Sequence, residues 1–495
     1  MMKKRLKKIA VIFATLLVVA VTLYALLGAW ENWSGARKWQ STKAKLTREG
    51  VVFDYRKLLP KMPPEDQNFV RTPLLASVTD FTHDRPEDMA SIVKGTGEII
   101  YRNPELRDRF LKLRLPVDDS QTFLPAVEKH RRADLSKAPD ISSLLEELSA
   151  ELAEIDEAAL RTESQLKVDI GETFLDQLQT TFPYLQDLQK FQKLQVLRAC
   201  LALEAGDTTQ AKSSLLVLLQ MGKASMSHPS LIGFLFGQAI YSSALSVVWE
   251  GMASGAWSDD DLVWIQNKLT DHQDILSRLE TALQFELATF QLGACDFMKA
   301  ISLKDSRHVV NVTGAVGNST PSPSLGIFAR LAPAGIWDHN KVFIAEMMFA
   351  HAILPVRNRT LPDTDEFNKA IGKRTPRNFL AAVTLPSTTS VTLRCFQVST
   401  VFDLAILACG VERFRLQTGK LPVDLPTLIP DYIAKIPDDV MDAGQSLKYV
   451  KEGDGTTYRV YSVGKNRIDN DGMIAFKNTK TPVIDKENGD WVWTY

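Results

Sequence analysis

From Ile9 to Trp30 the chain carries no charged side chain, and nothing further along restricts the possible folds as much. A helix needs about 20 apolar residues to cross the hydrocarbon core of a bilayer. Lys3, Lys4, Arg5, Lys7 and Lys8 crowd the N-terminal flank, and Trp30, Trp33 and Trp39 follow where an aromatic belt would lie. Because basic flanks stay on the cytoplasmic side, the pattern predicts a signal anchor with a single pass. Residues 1–8 form a cytoplasmic basic tail, 9–30 span the membrane, and the remaining chain is extracytoplasmic. A cleaved signal peptide is the competing reading, although its apolar region usually covers only about 7 to 15 residues. Ser34-Gly-Ala36 is where its cleavage site would fall. No cysteine lies near the end of the apolar run, so lipoprotein processing is not suggested.

The 495 residues, 45% of them hydrophobic, can bury a sizeable core in two or three domains. The 58 Lys and Arg balance 59 Asp and Glu, a formal net charge of −1. Without a global positive field, nucleic acid is not an expected partner. Cys200, Cys295, Cys395 and Cys409 are the only cysteines, and no Cys/His spacing suggests zinc. Cys395 and Cys409 fall on one predicted helix about 21 Å apart, beyond disulfide reach. Cys200 and Cys295 could pair only if packing joined their helices. All four are otherwise read as small buried hydrophobes.

Ala36 to Arg48 continues the anchor as a basic stalk stopped by Gly50, and prolines from Pro60 to Pro125 punctuate the rest of 31–135. His83 and His130 stand in no metalloprotease frame. An α-helical array follows over 136–303. Leu144, Leu148, Leu152, Ile155 and Ala159 line one helix face, opposite an acidic one. Pro183–Ala205 and Thr208–Met226 form a helical hairpin around Gly206-Asp207, similar to a tetratricopeptide corner, although no period of about 34 residues recurs. Ala224–Trp249 has no charge and reads either as a second span or as a buried central helix. His228, Pro229, Gln238 and its small residues favour the buried helix. Ser258-Asp-Asp-Asp261 caps the next helix, and Phe285, Phe290 and Phe297 in a periodic run over Ile275–Lys299 read as core rather than a cofactor stack. Residues 304–336, with sequons at Asn311 and Asn318, read as a linker or mobile loop. Residues 337–375 are a helical connection containing a helix over Asn340–Leu354, and Asn378–Gly419 is a long helix with a kink at Pro386.

That helix opens the last unit, 376–495, and stops at Gly419, where a left-handed cap is cheap. Leu425–Ile433 forms short turns. Ser446–Val450 and Thr456–Val463 flank Lys-Glu-Gly-Asp-Gly and read as a hairpin. Asn466, Asp469 and Asp471 then fall close together in a Gly-punctuated loop. Such a loop is either a solvated turn or a hard-cation site, and its spacing is not that of an EF-hand.

Three runs, Ala405-Ile-Leu-Ala-Cys-Gly-Val-Glu-Arg-Phe-Arg-Leu-Gln-Thr-Gly-Lys-Leu-Pro422, Asp442-Ala-Gly-Gln-Ser-Leu-Lys-Tyr449 and Tyr458-Arg-Val-Tyr-Ser-Val-Gly464, resemble the globular domain of the major pseudopilin of type II secretion. The resemblance implies a small α+β domain and a Ca²⁺ site made by the Val463 carbonyl with Asp469, Asp471 and Asp490. The chain departs from the family at Lys465-Asn466-Arg467, where that family has Ala-Asp-Gly. The family's processing site, a Gly before Phe-Thr-Leu-Ile-Glu, has no counterpart near Lys8-Ile-Ala-Val-Ile-Phe13, so fibre assembly is not implied. Pro63-Pro-Glu-Asp-Gln-Asn-Phe69, Trp257-Ser-Asp-Asp-Asp-Leu262, Cys409-Gly-Val-Glu-Arg-Phe-Arg415 and Gly489-Asp-Trp-Val-Trp493 are similar to an uncharacterised family of bacterial single-anchor envelope proteins. That likeness places the chain in a bacterial inner membrane with its bulk in the periplasm.

The expected fold is therefore mainly α: an N-terminal transmembrane helix, an irregular helical array with TPR-like hairpins, and a pseudopilin-like α+β domain. No nucleophile elbow, P-loop, dinucleotide fingerprint or metalloprotease helix is present. The expected role is a non-enzymatic scaffold with a protein partner in the cell envelope. An accessory of type II secretion and an extracytoplasmic hydrolase without a recognisable motif are the alternatives.

Overall fold

The computed structural model describes residues 2–72, 75, 145–303, 331–477 and 485–494, except 147, 169, 172, 173, 175, 176, 178–183, 454 and 486. The readings of His83, His130, Asn311, Asn318 and the prolines from Pro73 to Pro125 lie outside the described residues. The fold is mainly helical and begins with the apolar helix.

Helix α1 (Met2–Arg48) is unbroken. Lys45 and Arg48 occupy its last turn, where cations suit the negative end of the helix dipole, and Gly50 (φ +83°) turns the chain away. Val11–Arg48 is long and apolar enough to cross a membrane, and no residue of its most apolar window is buried. The stretch read as a basic stalk continues the helix to Arg48, and it packs into the folded body. Gly35, Trp39, Thr42 and Leu46 are buried at alternating four- and three-residue spacing, the stripe a helix presents to a neighbour. Three 3₁₀ turns follow, Tyr55–Leu58, Glu65–Gln67 and Phe69–Arg71.

The array comprises α2 (Ser149–Ala158), α3 (Tyr184–Glu204), α4 (Thr208–Ser227), α5 (Leu231–Ala253), α6 (Asp259–Thr270), α7 (Ile275–Glu286) and α8 (Leu292–Ser302). The α3–α4 hairpin turns at Gly206 (φ +74°), and Asp207 caps α4 by accepting the Gln210 N–H at 2.9 Å. Helices α4 and α5 approach closely because Gly222 lies under the Tyr241 ring and Gly237 under Met226. Of the two readings of the uncharged run, the buried one holds, since 72% of the most apolar window of α5 is buried. Ser258 and Asp261 form the full capping box of α6. The periodic run after Ile275 continues through a π turn over Leu287–Gln291.

Helix α9 (Gly335–Met348) packs along α1 and passes through a second π turn (Phe349–Ile353) into α10 (Leu354–Asn358). Helices α11 (Thr364–Gly372), α12 (Phe379–Thr384) and α13 (Pro386–Thr418) complete the set. The long helix expected from Asn378 is thus two. Pro386 opens α13 in its first turn, where no backbone donor is needed, and Gly419 (φ +70°) closes it. Helix α13 packs on α5, α6 and α7 and supports the sheet, so the last unit shares its main helix with the array.

The sheet has the antiparallel order β1 (Lys448–Glu452), β2 (Thr457–Ser462), β3 (Trp491–Trp493). The expected hairpin is β1–β2, with Lys448 opposite Tyr461. Strand β3, with Val460 opposite Trp493, was not foreseen. Trp249 Nε1 of α5 donates to the Thr494 carbonyl at 2.7 Å and ties the sheet to the array. All four cysteines are free and buried.

Candidate functional site

The loop after β2 carries Asp469 and Asp471, and Asp490, just before β3, faces the same turn by accepting its amide hydrogens. Asp490 is buried and accepts the N–H groups of Gly472 at 2.7 Å and Asn470 at 3.1 Å. Asp469 accepts the Tyr461 hydroxyl at 3.2 Å and the Asp471 N–H at 3.0 Å, and Lys448 Nζ stands 3.4 Å from its other oxygen. Asp471 is exposed and left-handed (φ 57°). Val463 is fixed through its N–H, which donates to Asp439 at 3.0 Å.

Asp439, which was not singled out from the sequence, is the hub of the strand end. It also accepts the Ser462 hydroxyl at 2.8 Å and the Met441 N–H at 2.9 Å. Burial pushes the carboxyls of Asp439 and Asp490 above their ordinary range, against the pull of these donors. Ca²⁺ needs several oxygen ligands with free lone pairs. Here N–H groups face Asp490, and an ammonium faces Asp469. Among the described residues, no three His, Cys, Asp or Glu side chains are grouped to hold a metal ion. A cation at these residues would compete with the amide hydrogens at Asp490 and with the Lys448 ammonium at Asp469.

A larger feature lies where the array meets the C-terminal unit. A cleft of about 1220 Å³ opens between α6, α13, the turn after α10, and the chain from Pro430 to Gly444. On its wall Asp403 of α13 accepts the Gln273 amide at 2.8 Å. Burial raises Asp403 from the usual carboxylate range to about 6, against the attraction of Arg359 and Lys435.

Arg413 braces the opposite side. It reaches Asp259 at 3.2 Å, Gln266 Oε1 at 3.0 Å and the Tyr432 carbonyl at 3.3 Å, and its guanidinium lies 5.4 Å from the centre of the Tyr432 ring. Arg359, left-handed at φ 52°, joins Lys435 and Arg467 on the exposed lining. These residues come from five separate stretches of chain and form no local motif. The one available signal was Asp403 itself, the single charge between Arg394 and Glu412.

No protein-family profile, curated protein or solved structure matches the chain.

Proposed function

We propose that the chain is a membrane-tethered scaffold that holds a helical body and a C-terminal sheet unit rigidly at the extracytoplasmic face of a bilayer for a protein partner. The single observation that carries this reading is the continuity of α1. One helix passes from a bare apolar stretch into a buried stripe at Gly35, Trp39, Thr42 and Leu46 with no flexible hinge between them. Such a helix transmits position rigidly, at about 1.5 Å per residue. The basic residues from Lys3 to Lys8 support the orientation with the N-terminus inside. The cleavage site of the competing reading would lie within α1, where Gly35 is packed on α9. A pseudopilin-like reading of residues 376–495 is supported by the order of long helix, antiparallel sheet and acidic loop.

The experiment is protease digestion of cells and of inverted membrane vesicles, followed by cross-linking from the cleft. Digestion of the body only from the extracytoplasmic side is expected. A photoreactive residue at Lys435 is expected to yield one discrete protein adduct. A chain released to the soluble fraction, or digested from the cytosolic side, overturns the tether. A bare chain after cross-linking overturns the scaffold.

The hydrolase reading gains one observation, the polar cleft with Asp403. A carboxyl near 6 can exchange a proton near neutral pH, but among the described residues no histidine lines the cleft, and its buried carboxyl Asp439 is engaged by Ser462, Val463 and Met441. Turnover abolished by Asp403→Asn in a screen of envelope substrates would favour this reading over the scaffold.

A further inference from the structure

We propose that the loop Lys373–Arg377, with Trp30, Trp33 and Leu331, is a second membrane contact that binds anionic phospholipid headgroups on the leaflet from which α1 emerges. The inference rests on the tether proposed above, which fixes where the bilayer ends. The uncharged run stops at Trp30. Arg377 lies 5.4 Å over the Trp30 ring and pairs with Glu31 of the next position. The loop therefore sits at the polar boundary of the span.

A second stretch marks the same level. Tyr24 donates its hydroxyl to the Leu331 carbonyl, and Pro333 is the nearest neighbour of Gly28. Residues 331–333 thus run beside the last two turns of the span, with the Leu331 side chain 63% exposed. An uncovered leucine at that depth meets lipid rather than water, and Trp30 and Trp33, 51% and 60% exposed, suit the headgroup region.

The loop is built rather than loose. Asn378 accepts the Thr375 N–H at 2.7 Å and the Thr375 hydroxyl at 3.0 Å, and donates to the Lys373 carbonyl at 2.8 Å. Asn340, fully buried on α9, donates to the Pro376 carbonyl at 2.9 Å and accepts the Leu380 N–H at 2.9 Å. This frame projects Lys373 and Arg374 outward, both exposed and without an ion pair among the described residues. Arg37, over the Trp33 ring at 5.4 Å, adds a further cation on the same side of the exit point. Preorganised cations beside an aromatic belt recognise a negative leaflet.

The test uses the full chain in nanodiscs of phosphatidylcholine with and without phosphatidylglycerol. Lysine acylation by a water-soluble reagent is followed peptide by peptide. Lys373 is expected to react several-fold more slowly in the anionic discs, with the difference removed by high salt. Lys45, about 22 Å further along α1 from Trp30, is expected to react equally in both. Arg374→Glu is expected to restore fast labelling of Lys373. Equal Lys373 rates in the two discs, or equal slowing of Lys45, overturns the proposal. Failure of the chain to enter discs at all overturns the tether instead, so the two readings fail separately.

Discussion

Gly35 of α1 and Gly335 of α9 touch backbone to backbone. A Cβ on Gly35 would stand 3.0 Å from the Gly335 Cα, and a Cβ on Gly335 would stand 2.6 Å from the Asn32 Cα. Asn32 closes the crossing by accepting the Gly335 N–H at 2.7 Å. Neither obstacle is a flexible side chain, so relief requires the helices to separate. Gly335→Val is expected to cost about 1–3 kcal/mol and to expose the start of α9 to protease. Gly28→Ala, whose new methyl would meet only Pro333 at 3.9 Å, is expected to leave the melting temperature unchanged. Thermal unfolding of both variants in detergent checks the pair, and equal melting would mean that the crossing is not tight.

The acidic loop yields a different expectation. Asp490→Ala removes the acceptor for two amide hydrogens, of Gly472 and Asn470. The loss is expected to be about 2–4 kcal/mol, since a buried donor left without a partner costs about 1–3 kcal/mol. Ca²⁺ would need Asp490 to release those amides and Lys448 to leave Asp469. Added Ca²⁺ is therefore expected not to raise the melting temperature of the full chain. A rise that disappears in an Asp469→Ala, Asp471→Ala variant would show that the loop rearranges around the ion.

Arg413 offers a test of the cleft wall. Arg413→Ala breaks its links to Asp259, Gln266 and the Tyr432 carbonyl together. Faster hydrogen exchange is expected across 430–444, with β2 unchanged. Lysine is not expected to rescue, because a point charge cannot reproduce a planar guanidinium stacked on Tyr432. Full rescue by Arg413→Lys would reduce the wall to simple charge pairing.

Helices were legible wherever a period and a cap coincided. Ser258-Asp-Asp-Asp261, Gly206-Asp207 and Gly419 each mark a boundary that the structure keeps, because caps act through the backbone of adjacent residues. The two π turns left no trace in the pattern, since an extra residue per turn shifts the apolar face without interrupting it. The basic run after Ala36 read as a stalk because every fourth or third residue of a charged helix can be buried without lowering its overall polarity. Strand β3 was hidden by its length, three residues of a Trp-Val-Trp sequence whose partner lies thirty positions back. The carboxylates of the loop were found by residue type, but sequence could not tell whether amides or a cation would face them. The cleft was illegible because it exists only where segments distant in the chain meet.

Asp403 permits a prediction in which pH decides the sign. Its carboxyl is held at about 6 by burial, above the unfolded value near 4, so the folded chain binds this proton more tightly than the unfolded chain does. Stability from this group is complete below pH 4, falls as the pH rises through 6, and is absent above it. The charged form is thus tolerated at neutral pH at a cost. A tenfold difference in proton affinity between the folded and unfolded chain is worth about 1.4 kcal/mol, reduced by partial access to solvent and by Arg359, Lys435 and the Gln273 amide, which favour the anion. Asp403→Asn keeps an oxygen for Gln273 and carries no charge. It is expected to stabilise the chain by about 1–2 kcal/mol at pH 8 and to make no difference at pH 4. Melting curves of both proteins across that range read the difference directly. A variant less stable at pH 8 would mean that the carboxylate is held by partners strong enough to outweigh its burial, and that Asp403 is an anchor of the cleft rather than a strained charge on its wall.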